Sequence, residues 1–153
     1  MLNSEDIKKM AKAMGADAVG IGNIERWEGA PTQMDPRQIM PEARSVIAMA
    51  FRVMRGSLRG IEEGTFFSNY SAMGYGGITY LYMPMTVINL SKMIEDDGFE
   101  AVPMGHQSDW RMIDNEGFGR LSSRPVAPGR AAPDVMIHLR IAAFLCGLGE
   151  IGY

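Results

Sequence analysis

The sequence contains a single cysteine, Cys146, among 153 residues. One thiol excludes a disulfide within the chain, and it excludes an iron–sulfur cluster held by this chain alone, because such clusters usually take four thiolates. The sequence also lacks an apolar run of about 18 residues, which a membrane-spanning helix would need. Its first residues include Asn3-Ser4-Glu5-Asp6 instead of a basic and then apolar leader. These absences predict a cytoplasmic protein with no membrane partner.

Clustered positive charge is scarce as well. The chain has 15 Lys and Arg residues against 18 Asp and Glu residues, a net charge of −3, and no basic cluster is interleaved with aromatic residues. This balance predicts no nucleic-acid partner. The length and the 46% hydrophobic content are typical of one soluble globular domain. The 14 methionines are unusual and have two interpretations, a soft core or a surface for a large apolar ligand.

Several segments show the patterns of regular structure. A helix is predicted from Asn3 or Ser4 to Gly15, and another has Met83, Val87, Leu90 and Ile94 on one face, Pro84 in its first turn and its end at Gly98. Strands are predicted at residues 18–21, at 45–51 as a central strand covered on both faces, and at 99–103. Residues 133–146 predict a further helix, buried on most faces and ended by Gly147, and residues 36–40 a short one. This pattern predicts an α+β fold, an α/β sandwich with helices packed on a small sheet.

Three glycine-containing segments invite a ligand-binding interpretation. Gly20-Ile21-Gly22 lacks the third glycine of a dinucleotide-binding turn, and residues 74–77 lack the Lys-Ser/Thr ending of a phosphate-binding loop. We therefore interpret residues 52–82, rich in Gly, Ser, Arg and aromatic residues, as an irregular loop of the kind that often carries sites. Residues 147–152 have two interpretations: a simple helix end, or a backbone that approaches a cofactor closely. No His, Cys or Asp spacing in residues 105–132 predicts a metal site.

Four blocks in a fixed order carry a resemblance to a known family. They are residues 7–22 (IKKMAKAMGADAVGIG), 41–47 (PEARSVI), 98–105 (GFEAVPMG) and the GLGE motif at 147–150, which follows an apolar segment. Together they resemble the corrinoid-binding half of reductive dehalogenases and of the related epoxyqueuosine reductases. The resemblance covers most of the chain, is loosest in its centre, and leaves residues 107–133 without a counterpart.

The resemblance implies a nitroreductase-like domain over residues 1–153 that binds cobalamin without a protein ligand to cobalt. It implies further that this domain is incomplete, because a ferredoxin-like segment with two 4Fe–4S clusters would follow it. That segment, or a separate electron donor, would be a partner together with a small-molecule substrate. Homodimerisation is a further expectation if an apolar face is left exposed.

The resemblance also implies the site residues. Tyr80 is expected to be the proton donor, with Tyr82 as its rival, and His106 is expected beside it above cobalt. His106 stands where dehalogenases often have Asn, which leaves the substrate class open. The lower face of cobalamin would lie against residues 147–152. The residues expected to contact the corrinoid are Tyr75, Tyr82, Gly105, Gly147, Leu148, Gly149, Glu150 and Gly152.

Two other functions remain open on the sequence alone. One is a corrinoid-binding or interaction module without turnover, and the other is a flavin-dependent enzyme of the nitroreductase type. Since the twin-arginine leader of respiratory dehalogenases is absent, the preferred interpretation is a cytoplasmic reductase.

Overall fold

The computed structural model describes residues 2–105, 127–131, 135 and 137–152. It has mixed helix and strand, an α+β class as predicted. The chain divides into two compact units, each made of two chain segments: Met1–Val19 with Met49–His106, and Gly20–Ala48 with Gln107–Tyr153. Every helix in the described part is too short or too polar to cross a bilayer.

Among the described residues, the sheet has two strands, β1 (Ala18–Asn23) and β2 (Ser45–Ala50). The Asp17 amide donates to the Ala50 carbonyl at one end, and the Ile24 amide donates to the Arg44 carbonyl at the other, each at 2.9 Å. This pairing makes the strands antiparallel. Because β2 is only partly buried along its length, the prediction of a central strand covered on both faces is wrong.

The predicted third strand at residues 99–103 is also wrong, since this segment is irregular. Gly98 has a φ of 91° and ends the preceding helix, and the Phe99 amide still donates to the Ile94 carbonyl at 3.3 Å. The side chains of Phe99 and Val102 are 51% and 42% exposed. An apolar alternation predicts a strand only where a neighbouring strand pairs with it, and here none does among the described residues.

In the first unit, helix α1 (Ser4–Ala13) packs against a longer helix, α4 (Met83–Asp96). The Asn3 side chain accepts hydrogen bonds from the amides of Glu5 and Asp6, which confirms the predicted start of α1. Pro84 lies in the first turn of α4, also as predicted. Thr86 is buried between the two helices, where its Oγ1 donates to the Met14 carbonyl at 3.1 Å.

The segment interpreted as an irregular loop is largely helical, so that prediction is wrong. It contains α2 (Arg55–Glu62), the short α3 (Phe67–Asn69) and a π-helix (Tyr70–Tyr82) that runs directly into α4. Helix α2 contains two glycines and carries two exposed ion pairs, in one of which Arg59 Nε lies 2.7 Å from Glu63 Oε1, one turn away. Packing of α2 and α3 on the π-helix supplies what the weak local helix propensity lacks.

In the second unit, the chain between the strands forms three short 3-10 turns, Ile24–Trp27, Thr32–Met34 and Pro36–Gln38. The last of these is the predicted short helix at residues 36–40, shortened to three residues. Asp35 begins it, because its side chain accepts from the Arg37 amide at 2.9 Å. Trp27, 3% exposed, is the largest core side chain among the described residues of this unit.

Helix α5 spans only Leu139–Leu145, so the prediction of a helix from residue 133 is wrong in its start. Val135 and Ile137 are both buried and lie outside any helix. Leu139, Ile141 and Phe144 are 42–50% exposed, so burial on most faces is wrong as well. The predicted end is confirmed: Gly147 has a φ of 76°, and its amide donates to the Phe144 carbonyl at 2.9 Å.

The methionines that the structure describes do not form the soft core that one interpretation predicted. None of those that the structure describes is buried, and four are more than a third exposed: Met54, Met73, Met85 and Met93. Met73 and Met85, at 59% and 62%, lie on the π-helix and the first turn of α4. Flexible apolar side chains are therefore concentrated at the surface around the aromatic π-helix.

Candidate functional site

The π-helix of the first unit holds two tyrosines in direct contact. The hydroxyl oxygens of Tyr75 and Tyr80 are 3.3 Å apart, and either one can be the donor. Their rings meet edge to face, with centroids 5.8 Å apart and planes at 88°. The side chains remain accessible, at 43% and 55% exposure. The structure thus brings together two predicted site residues, one expected to bind the cofactor and one expected to donate a proton.

The π-helix is what brings these two residues together. In an α-helix, residues five apart lie about 140° apart around the axis, so their side chains diverge. A π-helix repeats its hydrogen bonds at five residues, which places residues 75 and 80 on one face. Glycine makes the wider helix possible, because a Cβ on Gly76 would lie 2.9 Å from the Ser71 carbonyl oxygen. Pi-helical turns are rare and occur frequently at functional sites.

The contact also affects the protonation of the pair. The hydrogen bond with Tyr80, reinforced by the charge that Tyr80 would carry when ionised, raises the pKa of Tyr75 above its ordinary value of 10.0. The contact therefore favours the neutral, protonated form of Tyr75. A phenol that stays neutral can continue to donate a hydrogen bond to a neighbouring phenolate.

Tyr82, the rival proton donor, makes different contacts. Its hydroxyl donates to the Gly15 carbonyl oxygen at 3.4 Å, and its ring meets Phe51 edge to face at 5.8 Å. Gly15 has a φ of 112°, and a Cβ there would collide with the Tyr82 hydroxyl. The Tyr82 hydroxyl is thus engaged with the end of α1, whereas that of Tyr80 is engaged with another phenol.

Of the other expected site residues in the 98–106 block, Gly105 is partly buried. A Cβ on Gly105 would lie 4.0 Å from Pro84 Cγ, an ordinary contact. His106, expected beside Tyr80, lies outside the described residues.

The expected corrinoid-binding segment at residues 147–152 belongs to the second unit. Gly147, Gly149, Glu150 and Gly152 are exposed, and Leu148 is half-buried. Among the described residues, no atom lies within 4 Å of where a Cβ would stand on the three glycines. Gly149 and Gly152 do not have a left-handed φ, so backbone strain does not require glycine at either position.

Cys146, just before this segment, has a structural environment. It is 5% exposed, and its thiol donates to the Val46 carbonyl at 3.3 Å. Burial raises the pKa of the thiol, so it stays protonated and unreactive at neutral pH. Gly20 faces the same residue, since a Cβ on Gly20 would collide with the Cys146 carbonyl. Gly20-Ile21-Gly22 therefore serves close packing of the strand against the end of α5.

The second unit also has an open groove of about 250 Å³ that sequence reasoning missed. Arg26 is one of the residues that line the groove, and its Nη1 donates to the Leu145 carbonyl at 2.6 Å. His138 lines the groove, and its buried Nδ1 has no hydrogen-bond partner in the described structure. The volume lies below the roughly 300 Å³ at which pockets for drug-sized ligands begin. Its walls come from segments more than 100 residues apart, so no local sequence signal predicts it.

Comparison of the sequence and structure with family models, curated proteins and solved structures finds no match.

Proposed function

We propose that this chain is the corrinoid-binding part of an oxidoreductase similar to reductive dehalogenases and epoxyqueuosine reductases. In this proposal Tyr80 is the catalytic proton donor, and the domain is nitroreductase-like, cytoplasmic and served by a separate electron donor or a ferredoxin-like segment. The observation that carries the proposal is the Tyr75–Tyr80 contact: two accessible phenols with hydroxyls 3.3 Å apart on a π-helix. A phenol held in this way can give a proton to a reacting atom beside it.

The residues expected to hold cobalamin are compatible with that role. Residues 147–152 present exposed glycines whose missing side chains leave open space, and Tyr75 is an accessible aromatic side chain. Cobalamin, when bound, would supply the reductive bond-breaking chemistry. The protein's own part is to bind the corrinoid through Tyr75, Tyr82, Gly105 and residues 147–152, and to supply the proton through Tyr80, with His106 beside it.

Titration of the purified chain with hydroxocobalamin, followed by absorbance and calorimetry, tests cofactor binding. Flavin mononucleotide is titrated in parallel. Saturable binding of cobalamin supports the proposal. Binding of the flavin alone would favour a flavin-dependent enzyme of the nitroreductase type, and binding of neither would contradict a corrinoid site in this chain.

A matched pair of variants locates the cofactor site. Gly149→Ala adds a methyl group where the chain has open space, so folding is retained while a ligand is pushed away. We expect cobalamin to bind at least about tenfold more weakly. Gly56→Ala, also at an exposed glycine with open space around it, is the control and should bind cobalamin as the wild type does. Equal binding by both variants would remove residues 147–152 from the site.

Tyr80→Phe tests the proton donor, with the electron donor supplied. We expect reductive turnover to fall by about a hundredfold or more, the usual contribution of a general acid, while cobalamin binding is retained. Retained binding without turnover in the wild type would favour the alternative, a corrinoid-binding module. Unchanged turnover in Tyr80→Phe would remove Tyr80 from the catalytic role.

A further inference from the structure

Besides being accessible, Tyr75 contacts Tyr80 in two ways. The two hydroxyl groups are in contact, and the two rings pack edge to face. The two hydroxyls are 3.3 Å apart, and the ring planes are nearly perpendicular, at 88°. This geometry restricts Tyr80 twice, at its ring edge and at its oxygen. An isolated exposed tyrosine would instead sample several rotamers.

The position of the contact along the helix makes it a consequence of the backbone. Both residues belong to Tyr70–Tyr82, and the five-residue spacing matches the hydrogen-bond repeat of a π-helix. The approach of the Gly76 and Gly77 backbone to the Ser71 and Ala72 carbonyls leaves little room for any larger residue. The local sequence therefore keeps this segment in a π-helix, an energetically unfavourable backbone conformation. The π-helix in turn pairs the two phenols.

We propose that Tyr75 is a positioning residue for Tyr80, holding the Tyr80 hydroxyl in place and donating a hydrogen bond to its oxygen when Tyr80 gives up its proton. In that step the Tyr80 O–H bond breaks, its electron pair stays on the phenolate oxygen, and the proton moves to the acceptor. The Tyr75 O–H bond stays intact and points at the new phenolate, and a proton from water later restores Tyr80. The direction of proton transfer rests on the proposed function, whereas the pairing itself does not.

The hydrogen bond with Tyr80 raises the pKa of Tyr75, which agrees with a role for Tyr75 as a hydrogen-bond donor. Exposure of both side chains lets an acceptor and water reach the pair. A hydrogen bond to a charged oxygen is stronger than one between neutral groups, so the contact strengthens as the proton leaves.

Nuclear magnetic resonance of the whole chain labelled at the tyrosine ring carbon that carries the hydroxyl tests the pairing without any cofactor. The chain has five tyrosines, so single Tyr→Phe variants assign the signals. We expect Tyr75 in the wild type to ionise at higher pH than a free tyrosine, and to return to lower pH in Tyr80→Phe. Tyr70→Phe, which removes a hydroxyl from the same helix, is the control and should leave the Tyr75 titration unchanged.

Identical Tyr75 titrations in the wild type and in Tyr80→Phe would overturn the pairing. In the complete reductase, Tyr75→Phe should lower kcat about ten- to a hundredfold, the rate equivalent of a lost hydrogen bond to a charged oxygen, and should shift the pH profile. An unchanged kcat and pH profile would overturn the positioning role. The two proposals fail separately: without cobalamin binding, a Tyr75 titration that responds to Tyr80→Phe still establishes the pair, while cobalamin binding with no such response contradicts only the pair.

Discussion

At the residue scale, Gly15 lies where a side chain has no room. Its φ of 112° is in the left-handed region, and the Tyr82 hydroxyl fills the space beside it. The position thus combines backbone strain with overpacking for any residue other than glycine. The sequence predicted Gly15 as a helix end from its local pattern, but the contact with Tyr82, 67 residues away, was visible only in the structure.

We expect Gly15→Ala to lower the free energy of unfolding by at least about 2 kcal/mol, because a strained φ adds to the collision with Tyr82. Urea denaturation followed by circular dichroism measures this change. Gly56→Ala is the matched control, at an exposed helical glycine with open space, and should stabilise the protein by about 0.5–1 kcal/mol. A Gly15→Ala variant as stable as the wild type would contradict the close packing of Tyr82.

The Asp35 carboxylate is a buried charged group that accepts several hydrogen bonds from Arg37. It is 8% exposed, and it accepts from the Nε and Nη2 of Arg37, the latter at 2.8 Å. These hydrogen bonds hold the pKa of Asp35 below its ordinary value of 3.8. A carboxyl group with a lowered pKa stabilises the folded state above its unfolded pKa, and this stabilisation is lost as the pH falls through the folded value.

Asp35→Asn should therefore destabilise the protein at pH 7 by about 1.5–3 kcal/mol, since a hydrogen-bonded charge is lost. The difference from the wild type should shrink as the pH falls below about 4. Thermal unfolding at pH 7 and at pH 3 measures both effects. Glu5→Gln, which removes an exposed partner of Lys8, is the control and should change little at either pH. If Asp35→Asn lost the same amount of stability at both pH values, the negative charge of Asp35 would not be the cause of the destabilisation.

At the element scale, the π-helix is the element that local sequence rules predicted least well. Gly74, Gly76 and Gly77 predict a break in helical structure, and the aromatic residues between them predict no regular element. In the folded chain, packing against α2, α3 and α4 stabilises the segment as a helix, and the glycines accommodate its wide turn. Tyr75 and Tyr80 were each recognised as site residues from the resemblance, but their pairing depends on this helix type.

Gly76→Ala should disturb the π-helix, because its Cβ would lie 2.9 Å from the Ser71 carbonyl oxygen. We expect the segment to shift toward α-helical hydrogen bonding, which separates residues 75 and 80 and returns the Tyr75 ionisation toward that of a free tyrosine. The same labelled-tyrosine spectra measure this change. Gly56→Ala again serves as the control. An unaltered Tyr75 signal in Gly76→Ala would show that the pairing does not depend on the π-helix.

At the scale of the whole molecule, each of the two compact units is made of separate chain segments. Residues 20–48 share their unit with α5, whose end packs on Gly20, Gly22 and Arg26. Helices α1 and α4 belong to the other unit and pack on each other. Stability is therefore expected to differ between regions instead of following the order of the chain.

A chain ending at residue 131 lacks α5 and should lose hydrogen-exchange protection over residues 20–48, since the strand loses its contacts with Cys146. Protection of the amides in α1 and α4 should persist. Exchange measured by mass spectrometry distinguishes the two regions, and the full-length chain is the reference. Equal loss across both regions would instead indicate one cooperative unit.

The sequence by itself determined the features that depend on neighbouring residues: the cap at Asn3, the helix ends at Gly15, Gly98 and Gly147, the place of Pro84, and the α+β class. The cap, the helix ends and the place of Pro84 follow from hydrogen bonds or backbone angles within a few positions of each residue. The α+β class follows from the mixture of local helix and strand patterns. Tertiary structure decided the rest. It left residues 99–103 irregular, kept Val135, Ile137 and His138 outside α5, and turned a glycine-rich aromatic stretch into a π-helix that pairs Tyr75 with Tyr80. Such outcomes depend on which distant segments supply contacts, and local propensity does not contain that information.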